Sequence, residues 1–183
     1  MDSHDLAVPL LLATRTAVAC IFLTAAVGKF RHLTVFEGVL ANYRLLPRWA
    51  IGPVHVLLPL AELAIGVGMI ALPLFAAPGA ALLLLVFAAA MAVNLRRGRS
   101  DIDCGCHQSV LRQRLSWTLV WRNAVLALLA LLAAVPSASS SPSAWLTGAG
   151  AGLGLFALYC AMNSLWAVGP VMRRRIRFAG VSP

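Results

Sequence analysis

The 183-residue sequence is 61% hydrophobic and only 11% charged, well below the quarter or so typical of soluble domains. With a mean hydropathy of +0.86, this composition excludes a soluble enzyme and reads as an integral membrane protein. The formal charge of +9 sits in arginines clustered between apolar runs, which points to membrane topology and anionic headgroups and sets nucleic-acid binding aside.

Residues 6–28 form the first candidate span, long enough at about 1.5 Å per residue to cross a hydrocarbon core of about 30 Å. Asp2, His4 and Asp5 precede it with no basic segment, so it is expected to stay in the mature protein. Residues 34–46 predict a short interfacial helix: Thr34-Val-Phe-Glu37 has the form of a capping box, Phe36, Val39, Leu40 and Tyr43 recur at helical spacing, and Pro47 supplies a stop. The second span, 53–72, is interrupted by Glu62. Pro73 and Pro78-Gly79 predict a tight apolar turn into the third span, 79–95. A polar loop, 96–115, follows.

The fourth span, 116–135, opens with Trp117 and Trp121 at headgroup level, and Arg122 is expected to snorkel outward. A Ser-rich linker, 136–143, leads to the fifth span, 144–168, and to a closing arginine cluster. In that last span Gly148, Gly150, Gly152 and Gly154 give two overlapping GxxxG registers. Packing inside the bundle is the favoured use, with a homodimer contact as the alternative. The expected fold is an all-α membrane bundle of five transmembrane helices with one short interfacial helix, in a single domain. Lys29, Arg31, Arg44, Arg48, the Arg96–Arg114 loop and the C-terminal arginines all fall on one side of it. That asymmetry predicts the N-terminus outside and the C-terminus in the cytoplasm.

The polar loop holds Cys104-Gly-Cys106. Gly105 lets the two sulfurs approach as a dithiol or as a small-ring, easily reduced disulfide. Arg96, Arg97 and Arg99 favour a thiolate there, while Asp101 and Asp103 oppose it. His107 completes a Cys-x-Cys-His run, but a closed zinc site needs four ligands and the loop offers no other Cys or His, so no metal is assigned. His32 and His55 fall on the same side and are the available additional ligands. Cys20 and Cys160, inside apolar runs, read first as small apolar fillers.

Arg15 and Glu62 are the costly intramembrane charges. Counted from the expected span ends, Arg15 lies roughly 12 Å and Glu62 roughly 15 Å below the outer surface. The matched depths predict an Arg15–Glu62 pair, with Lys29 a poorer partner.

The order Arg15, Gly28-Lys-Phe30, Asn42-Tyr-Arg-Leu-Leu-Pro47, Pro59-Leu-Ala-Glu62, Asn94-Leu-Arg-Arg-Gly98 and Asp103-Cys-Gly-Cys106 resembles the MauE family of methylamine-utilisation membrane proteins, related to DoxX-like redox-associated proteins. The match runs from the first span into the fourth. The resemblance implies a DoxX-like four-helix core plus one helix, in a bacterial inner membrane. It also implies work with a thioredoxin-like partner in maturing an exported client, the disulfide-rich small subunit of methylamine dehydrogenase. It carries over Cys104 and Cys106 as the redox pair, and Arg15, Lys29 and Glu62 as intramembrane polar positions. The chain departs from the family pattern at His107-Gln108, where an aromatic and a glycine usually follow.

The leading expectation is therefore a thiol–disulfide redox protein, with Asp103 and His107 as accessory residues and a quinone as a candidate electron carrier. A non-catalytic docking factor for the client and a small transporter built around Arg15 and Glu62 are the rival readings. The transporter reading is weakened by the lack of detectable inverted repeats.

Overall fold

In the computed structural model the described residues are 3–102, 114–135 and 141–179, with side chains described for 7–102, 114–135 and 141–166. Every regular element among them is helical: α1 (Ser3–Arg31), α2 (Leu33–Tyr43), α3 (Arg48–Ala71), α4 (Pro73–Arg96), α5 (Trp117–Leu132) and α6 (Pro142–Ala179). Helices α1, α3, α4 and α6 are long and apolar enough to cross a membrane, and α5 is a shorter apolar helix of 16 residues. Large apolar side chains such as Leu57, Val67, Phe75, Leu82 and Leu128 face outward. Helices satisfy their own backbone polar groups, so such a surface suits hydrocarbon and would be costly in water.

Helix α1 is the hub, packed mainly on α6 and α3, while α4 packs on α5 and α3. The main core joins Val18, Ala19 and Phe22 of α1 to Met69 of α3, Ala77, Ala80 and Leu84 of α4, and Ala127 and Ala130 of α5. Alanines dominate because lipid gives little hydrophobic drive to association, so close van der Waals approach of the backbones supplies it instead.

Two expected local features are absent. Pro78-Gly79 is not a turn, because α4 begins at Pro73 and runs through Pro78. The turn is Leu72 alone, whose N–H bonds to the Gly68 carbonyl at 2.7 Å. Gly68 permits it, since a Cβ there would stand 2.9 Å from the Ala76 Cβ. Nor does Thr34 form a capping box: α2 begins at Leu33 after His32, with no side-chain cap.

The glycine registers of α6 divide cleanly. A Cβ on Gly148 would meet Leu12 at 2.5 Å, and one on Gly152 would meet the Ala13 carbonyl and Thr16 at 2.6 Å. Gly150 and Gly154 have nothing within 4 Å. Gly152→Val should therefore cost about 1–3 kcal/mol through overpacking against α1, whereas Gly154→Val should leave the melting temperature in detergent nearly unchanged. Equal losses in the two variants would contradict the α1–α6 packing.

Candidate functional site: an intramembrane ion pair above a tethered loop

The α1–α3 register decides which charges meet. Gly66 of α3 lies against Leu23 of α1, where an added Cβ would come within 2.8 Å of its side chain. One turn back along α3, Glu62 is carried toward the C-terminal end of α1. There the Lys29 ammonium donates to both its carboxylate oxygens, at 2.7 and 2.8 Å. Both side chains are almost fully buried, at 3% and 1% exposure. The ammonium also lies 5.4 Å from the Phe36 ring centre and 5.8 Å from that of Phe87, within the range of favourable cation–π contact.

The expected Arg15–Glu62 pair is thus replaced by Lys29–Glu62. Depth counting assumed that the start of α1 and the end of α3 share one outer plane, but with Gly66 against Leu23 the antiparallel α3 is offset: its end at Ala71 falls short of the start of α1, and its first turns run past the end of α1 alongside α2. Arg15, about 21 Å along α1 from Lys29, has a different task. Its Nε donates to the Ala133 carbonyl at 2.9 Å and its Nη2 to the Val135 carbonyl at 2.6 Å. A cation there bonds the carbonyls of the C-cap and the residue two beyond it, and complements the C-terminal dipole of α5.

Arg122 does not snorkel outward either. Its Nη1 donates to Asn163 Oδ1 of α6 at 2.5 Å, and its guanidinium lies 5.6 Å from the Tyr159 ring centre. Its Nε is buried with no hydrogen-bond partner among the described residues. Arg122, Asn123 and Glu62 line a cavity of about 30 Å³ between α1, α3, α4 and α5, large enough for a water molecule. Glu62 thus faces Lys29 directly and Arg122 across that space. Sequence reading missed the pairing of Arg122 with Asn163, although an amide inside an apolar run is the signal that could have revealed it.

The segment before the cysteines is a built helix stop. Asn94, fully buried, donates to the Ala90 carbonyl at 3.1 Å and accepts from Arg99 Nη1 at 3.3 Å. Gly98, at φ +73°, takes the left-handed conformation that ends α4. Beyond it the chain is drawn into a neck: the Leu115 N–H bonds to the Ile102 carbonyl at 3.2 Å, and Arg114 pairs with Asp101 at 2.9 Å. Leu115 packs in a cluster with Met91 and Leu119, against which Tyr43, Phe87 and Ile102 also rest. Asp103, Cys104, Cys106 and His107 lie outside the described residues. Cys20 and Cys160 are free thiols, and His55 Nδ1 contacts the Gly52 carbonyl. Among the described residues no group of three or more His, Cys, Asp or Glu side chains could hold a metal ion.

Removing one member of a buried pair strands the other charge in a low-dielectric interior, at a cost of about 3–5 kcal/mol. Glu62→Leu alone should therefore lower stability in detergent sharply, and Lys29→Met/Glu62→Leu should recover most of the loss. Additive losses in the double variant would contradict a direct pair.

Residues 7–136 match the family model described as methylamine utilisation protein MauE. The chain is 47% identical over 141 residues to the methylamine utilization protein MauE of Paracoccus denitrificans, covering 76% of each protein. It is 46% identical over 159 residues to that of Paracoccus versutus, covering 84% of this chain and 85% of the relative. With that of Methylorubrum extorquens it shares 41% identity over 155 residues, covering 80% and 82%. No solved structure matches. The family match takes in α2 to α5 and nearly all of α1, with the ion pair and the tethered loop between them, and the chain belongs to the MauE family of methylamine utilisation proteins.

Proposed function

We propose that the chain is a membrane thiol–disulfide redox protein acting through Cys104 and Cys106. One sulfur attacks a disulfide of a thioredoxin-like partner to form a mixed disulfide, and the other displaces the partner's second sulfur. The pair leaves as a disulfide and the partner as a dithiol; the reverse sequence returns the two electrons. The exported client in this reading is the methylamine dehydrogenase small subunit, which a role in methylamine utilisation supports. Asp103 and His107, flanking the pair, tune its thiolate.

The observation that carries this reading is the neck. Asn94, Gly98, the Ile102–Leu115 bond and the Asp101–Arg114 pair tether both ends of a short segment that contains two cysteines one residue apart. A docking factor has no need of a paired thiol at a tethered position. The proposed setting is a bacterial inner membrane, N-terminus outside and C-terminus cytoplasmic. Its support is the gathering of Arg31, Arg44, Arg48, Arg96, Arg97 and Arg114 at the end of the bundle that bears the loop.

Cys104→Ser and Cys106→Ser should each abolish methylamine-dependent growth while the protein still accumulates in membranes. Growth retained in both variants would refute the thiol mechanism and favour the docking role.

A further inference from the structure

A cavity of about 220 Å³ lies between α2, α3 and α4, next to the ion pair. Leu40, Leu58, Ala90, Met91 and the phenyl rings of Phe36 and Phe87 form much of its wall, and Lys29 stands at its polar end. The lining residues Leu45 and Val86 are exposed and mark a mouth on the outward, lipid-facing surface. An occupant therefore comes from the bilayer and is mainly apolar.

The polar end narrows the chemistry further. Lys29 has three N–H donors, of which two are directed to the Glu62 oxygens. The third has no hydrogen-bond acceptor among the described residues and meets only the π faces of Phe36 and Phe87, which are weaker acceptors than a carbonyl oxygen. Because Glu62 already neutralises the ammonium, the site offers one strong donor with no net charge. That favours a neutral acceptor over an anionic headgroup. Two phenyl rings beside the donor suit a flat, conjugated ring.

We propose that this cavity binds a quinone with an apolar tail, one carbonyl oxygen accepting from Lys29 Nζ and the tail leaving through the mouth. Binding stands on the cavity alone; an electron-carrier role rests on the thiol–disulfide reading above. In that role the dithiol loses two electrons and two protons as its S–S bond forms, and the quinone gains both to become the quinol. The cluster at the loop's neck shares Tyr43, Phe87 and Met91 with the cavity wall.

The test is native mass spectrometry of the full chain released from micelles with decylubiquinone, decylbenzene or phosphatidylglycerol. One equivalent of decylubiquinone should bind saturably, decylbenzene at least about tenfold more weakly. Ala90→Leu, which fills the cavity, should weaken decylubiquinone by a similar factor; Val54→Phe does the same from α3 should the first variant fail to fold. Cys104→Ser/Cys106→Ser should bind like wild type. The proposal is overturned by absent saturable binding, by equal binding of decylbenzene, by folded cavity variants that bind unchanged, or by phosphatidylglycerol displacing decylubiquinone at equal concentration. Failure of binding leaves the thiol mechanism standing, and growth of the serine variants leaves the quinone site standing.

Discussion

The Lys29–Glu62 ion pair is the constraint on which the rest of the bundle depends. A charge inside a membrane is tolerated when it is paired and its hydrogen bonds are made, and here the carboxylate takes two of them from one ammonium. That requirement locks α3 against α1 in a single register, with Gly66 on Leu23. The same register pushes the first turns of α3 beyond the end of α1, where α2 packs against them. The apolar cavity beside Lys29 follows from that offset.

Arg15 and Arg122 extend the same logic to the other helices. Arg15 ties α1 to the carbonyls of Ala133 and Val135 that follow α5, and Arg122 ties α5 to α6 through Asn163. Each of these cations thus joins two helices, supplying directional contacts that lipid-exposed leucines cannot. The polar groups concentrate at the end of the bundle where the cysteine loop begins and ends. Asn94 and Gly98 stop α4 there, so a rigid helix delivers the chain to the neck at a fixed point.

Much of this was legible in the sequence. The apolar runs marked the spans because hydrocarbon thickness sets their length, and the Gly148/Gly152 spacing foretold a close helix contact. Legibility failed where the answer depends on how one helix slides along another. Arg15 and Glu62 match in depth only if α1 and α3 end level, and nothing local to either helix reports their offset. Pro78-Gly79 misled for a different reason: the pair signals a turn in water, whereas in a membrane neighbouring helices let Pro continue inside a helix. Arg122 was assigned to the surface because its partner, Asn163, lies 41 residues away in sequence. Cys104-Gly-Cys106 suggests thiol chemistry from the sequence alone and stays a proposal, whereas the tether at its ends depends on Ile102 meeting Leu115 across a sequence gap that no local pattern reports.

The proposed redox-active cysteine pair at the cytoplasmic end of this bundle is tested most directly by alkylation of Cys104 and Cys106 with a membrane-impermeant maleimide, in intact cells and in inverted membrane vesicles, with and without prior reduction, read by mass shift. Protection is expected in intact cells, and labelling of both cysteines in inverted vesicles once reductant has been added. Labelling from outside intact cells would contradict the orientation, and full labelling of both thiols in vesicles regardless of reduction or added oxidant would contradict the redox pair.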